Sequence, residues 1–157
     1  HTQRTHFLEH LARHVDIQFF GYGAETLPHD SPILPRHQGE AWAMNMYRIL
    51  ARSRITVNLH IDVAENFANN MRLYEAAGCG ALLITDQKDN LGELFEIGTE
   101  ALAYASPQEA VSLIKSYSSR PGIAAEIAES GQRRVLREHT YQHRMEELVS
   151  ILSRYLV

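Results

Sequence analysis

The sequence predicts an α/β fold: a Rossmann-like, doubly wound parallel sheet with helices on both faces. Short β-branched or apolar runs alternate along the chain with stretches of helical periodicity, which is the order of βαβ units. One run, residues 81–85, is continuously apolar up to its final threonine, as expected of a strand that helices cover on both faces. The length of 157 residues fits one domain.

In the first half of the chain, the pattern predicts two helices and two strands. Phe7, Leu11 and Val15 recur at helical spacing, which favours a helix with one apolar face. The segment between the strands is rich in proline, which removes backbone donors and predicts a loop. The predicted helices are residues 2–14 and 40–53, and the predicted strands are 16–20 and 55–60.

In the second half, helix-capping residues and glycines mark the boundaries. Asn69 or Asn70 is predicted to be the N-cap of a helix that ends at about Ala77, before two glycines. Ser106 is predicted to cap the first of three C-terminal helices within residues 107–157. The remaining predicted elements are a strand at 81–85, a short helix at 90–95 with Asn90 as its cap, a strand at 101–104, helices that begin at Pro107 and Pro121, and a last helix capped by Thr140.

The stretch from residue 69 to residue 80 contains the main candidate binding residues. Asn70 and Arg72 fall in the first turn of a helix, where free N–H groups suit a phosphate. Glu75 follows one turn later, and its carboxylate can accept hydrogen bonds from two adjacent sugar hydroxyls. The alternative is an N-cap followed by an exposed Arg–Glu pair with only a structural role. Because ligands bind beyond the carboxyl ends of parallel strands, the loops at 21–23, 60–68 and 86–90 are expected to line a site.

Composition excludes several classes of function. Fifteen Lys and Arg against nineteen Asp and Glu give a net charge of −4, so a basic nucleic-acid surface is not expected. The single cysteine, Cys79, excludes an internal disulfide and fits a reducing compartment. With no membrane-length apolar run and no visible signal peptide, we expect a cytoplasmic location. His6, His10 and His14 share a helix face, but no carboxylate completes a metal site, so no metal is expected.

A wider pattern accompanies the stretch at 69–80. It comprises Ile84-Thr85-Asp86, Asn90-Leu91, Leu94-Phe95-Glu96, Gly98, Glu100, Ile127-Ala128, Gly131-Gln132, Arg134, Arg137-Glu138-His139-Thr140-Tyr141 and Arg144. This pattern resembles the C-terminal half of a group-1-like glycosyltransferase family that includes spore-maturation-protein (CgeB)-like enzymes. The resemblance implies the GT-B architecture, in which two Rossmann-like domains face each other across a cleft and the C-terminal domain holds the nucleotide-sugar donor. Residues 1–157 would then be that donor-binding domain, with the N-terminal acceptor domain and the first strand absent.

The resemblance also implies roles for individual residues. Glu75 matches the carboxylate that binds the ribose hydroxyls, and Asn70 and Arg72, with Asn69 beside them, match positions near the diphosphate. Asp86 to Asn90 match a loop that faces the donor sugar. His1 and Arg4 match a position from which related enzymes direct a basic group at the phosphates. No cofactor or bound metal is implied, because helix dipoles and basic residues stabilise the leaving diphosphate.

One position departs from the family pattern. Many retaining relatives have a second glutamate eight residues before the ribose-binding one, and here that position is Phe67, with Glu65 two residues away. The stereochemical outcome therefore cannot be carried over, and a general base is expected on the absent half. The alternative function is a catalytically silent module that binds a sugar nucleotide or a partner protein. The nucleotide base, the donor sugar, the acceptor and the oligomeric state are not determined by the sequence.

The absent first strand gives an expectation about the sheet. In the strand order 3-2-1-4-5-6, that strand lies between the second strand, here 16–20, and the fourth, here 55–60. Its absence would leave these two neighbours roughly 9–10 Å apart, because adjacent strands lie about 4.7–4.9 Å apart. We therefore expect either a gap one strand wide or a strand from elsewhere that fills it.

Overall fold

A computed structural model describes residues 2–61, 63 and 65–155. Three parallel strands form one sheet in the order β1-β2-β3. They are β1 (Ile55–Asn58), β2 (Leu82–Asp86) and β3 (Leu102–Tyr104). Ile55 pairs with Leu82 at the start of β1, and Ile84 pairs with Leu102 at the start of β3. The α/β class with a parallel sheet is therefore confirmed.

Seven α-helices surround the sheet in the described part of the chain. They are α1 (Thr2–His14), α2 (Ala43–Arg52), α3 (Arg72–Gly78), α4 (Leu91–Leu94), α5 (Pro107–Ser118), α6 (Pro121–Glu138) and α7 (Tyr141–Ser153). The Ser106 hydroxyl accepts a hydrogen bond from the Glu109 N–H, and Thr140 caps α7 through the N–H of His143. Both caps agree with the sequence prediction.

The sheet separates two apolar cores. One lies beneath α1, α5 and α6 and includes Leu82, Ile84 and Leu102 of the strands. The other lies beneath α2, α3 and α4 and includes Leu83. Successive side chains of a strand point to opposite faces, so the continuous apolar run of β2 is buried on both sides. This arrangement is the doubly wound form that the run predicted.

The segment 16–20 is not a strand, contrary to the prediction. It forms a single parallel bridge, in which the Phe19 N–H donates to the Arg36 carbonyl at 3.0 Å and the Phe19 carbonyl accepts from the Gln38 N–H at 2.9 Å. No backbone hydrogen bond joins this segment to β1 within the described residues. A cleft of about 1120 Å³ is instead lined by both segments. Within the described residues, the segment 16–20 has no adjacent strand on its β1 side whose backbone could pair with it, so its β-rich sequence does not form a strand.

Gly131 of α6 shows why one glycine of the family-like pattern is needed. A Cβ atom at this position would lie 2.3 Å from the Glu100 carbonyl oxygen. Because that neighbour is backbone, it could not swing aside as a flexible side chain would, so only glycine allows α6 to pack this closely on the chain before β3. Within the described residues, no helix is long and apolar enough to cross a membrane.

Candidate functional site

A chain of hydrogen-bonded polar side chains runs beneath the carboxyl edge of the sheet. The Asn70 amide donates to Asn58 Oδ1 at 3.1 Å, and the Asn58 amide donates to Thr85 Oγ1 at 2.9 Å. The Thr85 hydroxyl then donates to Asp86 Oδ1 at 3.2 Å. Asn58 and Thr85 are buried, and burial of polar groups is tolerable only when they are hydrogen-bonded. We call Asn58, His60, Asn70, Thr85 and Asp86 the buried network.

Asp86 and His60 form the acidic end of the buried network. Asp86 Oδ1 accepts from the His60 backbone N–H at 3.0 Å and contacts His60 Nδ1 at 2.7 Å. The His60 side chain is fully buried, and its Nε2 has no hydrogen-bond partner within the described residues. The sequence predicts that the loop from His60 onward lies near a site but gives His60 no role of its own. The signal that points to it is the alternation of Asn58 and His60 at the end of an apolar strand.

The loop after β2 is fastened to the loop after β1. Lys88 Nζ lies 3.4 Å from Asp86 Oδ2 and also donates to the backbone carbonyl of Glu65. Asn90 uses both ends of its amide on Ala68, accepting from its N–H at 2.6 Å and donating to its carbonyl at 3.1 Å. The Asn90 side chain therefore holds two loops together, and it does not cap α4 as predicted.

A second group of polar side chains lies on α3 and α2. Arg72 Nη1 is 3.2 Å from Glu75 Oε2, and the Tyr47 hydroxyl donates to Glu75 Oε1 at 3.3 Å. The Glu75 side chain is 16% exposed and that of Arg72 is 40% exposed. Burial and the neighbouring carboxylate raise the pKa of Tyr47, so its hydroxyl stays a donor at neutral pH. We call Tyr47, Arg72 and Glu75 the charged trio. The spacing of Arg72 and Glu75 predicts their pairing, but nothing local in the sequence points to Tyr47.

The beginning of α3 differs from the prediction by one or two residues. The helix begins at Arg72, and the residue at the N-cap position is Met71, which makes no side-chain cap. Asn70 still accepts from the Leu73 N–H at 3.3 Å, while Asn69 is exposed. The Asn70 amide therefore links the first turn of α3 to the buried network.

Arg4 reaches the same edge of the sheet from α1. Its Nη1 donates to the Leu59 carbonyl at 3.0 Å, directly after the carboxyl end of β1. Arg4, Asn70 and Arg72 line the large cleft, and Arg4 also lines a second cleft of about 650 Å³ with His60 and Asp86. The tertiary fold thus brings together most of the residues assigned by sequence. His1 lies outside the described residues.

Phe67, which stands where many relatives have a glutamate, is exposed, and so is Glu65 nearby. Phe67 is 58% exposed, and Glu65 has a left-handed backbone with φ of 46°. Within residues 2–61, 63 and 65–155, no group of three or more His, Cys, Asp or Glu side chains is arranged to hold a metal ion.

The family follows from comparison with known proteins. A family model described as glycosyl transferase-like matches residues 3–150. The chain belongs to this glycosyl transferase-like family. The resemblance found in the sequence is thereby confirmed at the level of a glycosyltransferase-like domain. No curated protein matches the chain.

Solved structures support the same fold. The crystal structure of Anabaena Alr3699/HepE in complex with UDP aligns with a TM-score of 0.58 and 16% identity, covering 77% of this chain and 33% of that one. The complex of the same protein with UDP-glucose aligns with a TM-score of 0.61 and 18% identity, covering 78% and 34%. The chain therefore spans about a third of the length of these proteins.

Proposed function

We propose that the chain is the donor-binding domain of a glycosyltransferase that moves a sugar from a nucleotide-diphosphate sugar to an acceptor. The observation that carries this proposal is that Arg4 and Arg72 both line one cleft, which reaches the carboxyl edge of the sheet. These residues are 68 positions apart in the sequence. Two cations at one edge suit the two negatively charged phosphates of such a donor.

The charged trio gives the proposed site its orientation. Arg72 and Tyr47 hold the Glu75 carboxylate from both sides, which fixes its direction for two ribose hydroxyls. The guanidinium groups of Arg4 and Arg72 would stabilise the charge that grows on the diphosphate as the bond to the sugar breaks. The proposed donor site also includes Asn69, Asn70, Asp86 and Asn90. Of these, Asn70, Asp86 and Asn90 act chiefly by holding the loops of the site in place.

The finer assignments are part of the same proposal. The enzyme would belong with the spore-maturation-protein-like glycosyltransferases, act in the cytoplasm and require no metal. Its acceptor would bind a separate N-terminal domain of the same polypeptide, which would also supply any general base. The HepE structures hold UDP and UDP-glucose, so uridine nucleotides are the first donors to test.

Calorimetric titration of the folded chain tests the proposal. UDP, UDP-glucose, GDP and ADP are titrated separately, each with and without a chelator, and folding is checked by circular dichroism. We expect binding of at least one nucleotide, unchanged by the chelator. Absence of binding by every nucleotide to a folded chain would favour the silent module, and binding that requires a divalent ion would overturn metal independence. A co-crystal with the bound nucleotide then locates its ribose relative to Glu75.

A further inference from the structure

An exposed pair of aromatic rings is the feature of the fold that the proposed function does not use. Tyr22 is 77% exposed and Trp42 is 60% exposed, and their rings stack at a centroid distance of 5.9 Å with an angle of 13° between the planes. Tyr22 belongs to the loop 21–23, which the sequence predicts to line a site. Large apolar rings that lie together on a surface mark a place of binding, because their contact with water is unfavourable.

The loops that carry the two rings are held together. The Gly21 N–H donates to the Gly39 carbonyl at 3.0 Å, and the Gly21 carbonyl contacts His37 Nε2 at 2.7 Å. Ala43, directly after Trp42, has a left-handed backbone with φ of 46°, which a residue with a Cβ atom adopts only when its surroundings impose it. The pair is therefore preorganised, and a ligand that stacks on it costs little further loop entropy.

A carboxylate lies at the edge of the pair. Glu40 Oε2 accepts a hydrogen bond from the Trp42 indole N–H at 2.6 Å. Within the described residues, no other side-chain hydrogen bond and no ion pair engages Glu40. An ionised carboxylate can accept about four hydrogen bonds, so Glu40 has capacity for hydroxyl groups that approach beside the rings.

The charges on these loops favour a neutral ligand. The segments 19–27 and 38–47 contain Glu25 and Glu40 and no Lys or Arg. A nucleotide brings negative phosphates, which carboxylates repel, and the arginines suited to phosphates line the large cleft instead. A pyranose ring fits better, because its C–H groups pack on the negative face of an aromatic ring and its hydroxyls donate to a carboxylate.

We propose that Tyr22, Trp42 and Glu40 form a binding platform for a pyranose ring of a neutral glycan. The platform lies beside the large cleft, since Phe20 and Ala41 on the same two segments line that cleft. In a glycosyltransferase, a glycan bound there would be the part of a carbohydrate acceptor that extends away from the reacting hydroxyl. That role rests on the proposed function, whereas binding of the glycan itself does not.

Trp42 is the one tryptophan of the sequence, so its fluorescence reports on the platform. The 157-residue chain is applied to an array of neutral glycans, and the glycan bound most tightly is then titrated in solution. We expect a saturable change in Trp42 fluorescence. In calorimetric titration, Trp42→Ala and Tyr22→Ala should each lower the affinity by about 10-fold, because each removes an aromatic face, whereas Trp42→Phe should lower it by about 3-fold. Tyr155→Ala, at a tyrosine that is 81% exposed on the C-terminal segment, is the matched control and should bind like the parent chain.

UDP and UDP-glucose are titrated in parallel to separate the platform from the donor site, and circular dichroism checks the fold of every variant. Absence of binding by all neutral glycans to the folded chain overturns the proposal, as does an equal loss of affinity in Tyr155→Ala and Trp42→Ala. A fluorescence response to UDP without one to the glycan would show that the rings stack on a nucleobase. A response to UDP-glucose alone would show that they contact the donor sugar. Either result overturns the proposal and leaves the donor-binding function standing, whereas glycan binding without binding of any nucleotide overturns that function and leaves the platform standing.

Discussion

The buried network and the charged trio lie at the same edge of the sheet but differ in how they are solvated. Asn58, His60 and Thr85 are buried and bonded to protein atoms, except that His60 Nε2 has no partner within the described residues. The Arg72 side chain is 40% exposed, and its ion pair with Glu75 uses only one of its guanidinium nitrogens, Nη1, among the residues that the structure describes. Buried polar groups that satisfy one another rigidify a structure, whereas partly exposed charges remain available for binding. The network should therefore govern stability and the trio should govern affinity.

The largest expected effect is on stability, from Asp86→Ala. The substitution leaves the His60 N–H, the His60 ring and the Thr85 hydroxyl without their shared acceptor. We expect the free energy of unfolding in urea to fall by about 3 kcal/mol. Asp16→Ala is the matched control, because its exposed pair with Arg36 should contribute within about 1 kcal/mol. Equal losses in the two variants would show that the buried network is not structural.

Glu75→Ala should have the next largest effect, and on affinity. We expect nucleotide binding to weaken by about 1.5–3 kcal/mol, the scale of hydrogen bonds to a charged group. Calorimetric titration measures this loss, and urea unfolding of the same variant should show a much smaller change than that of Asp86→Ala. Glu129→Ala, which removes an exposed partner of Arg133, is the control. Unchanged affinity, with the ribose bound elsewhere, would refute the assignment of Glu75.

Arg72→Lys should produce a smaller loss of affinity. A lysine keeps the charge but not the planar, two-pronged geometry of the guanidinium, so we expect affinity to fall by about five-fold, or about 1 kcal/mol. Arg133→Lys on α6 changes the same kind of Arg–Glu pair away from the cleft and should leave affinity unaltered. If both variants bind like the parent chain, Arg72 does not contact the phosphates.

The smallest expected effect is a pH dependence of stability that comes from His139. This residue is partly buried. Its ring packs on Tyr74 at a centroid distance of 5.0 Å, and Arg144 Nη2 lies 2.7 Å from Nδ1. Burial lowers the pKa of His139 below its ordinary value of 6.5. The unfolded chain therefore binds a proton first, and stability that is present above pH 6.5 is lost as pH falls through the folded-state pKa.

Urea unfolding between pH 7.5 and pH 4.5 measures this dependence. His139→Gln should flatten the part of the pH profile just below about 6.5. A profile that is the same for the parent chain and His139→Gln would remove His139 as the cause.

Most of the elements could be predicted from the sequence because their signals are local. The apolar run of β2 and the periodicity of α1 both depend on neighbouring residues alone. Ser106 and Thr140 were recognised as caps for the same reason. The prediction of a strand at 16–20 was wrong because a β-rich sequence becomes a strand only when a partner strand accepts its hydrogen bonds, and within the described residues this segment makes a single bridge and joins no sheet.

The candidate site, too, could be predicted only where its signals are local in the sequence. The sequence by itself determined the fold class, the family-like pattern and the spacing that pairs Arg72 with Glu75. Each of these depends on residues that are close to one another in the sequence. Only the tertiary structure decided that Tyr47 contacts Glu75, that Arg4 and Arg72 line one cleft, and that His60 bonds Asp86 of the neighbouring strand. The two contacts join residues 28 and 26 positions apart, and the two arginines are 68 positions apart; packing of the sheet and helices, not local spacing, brings such residues to one region.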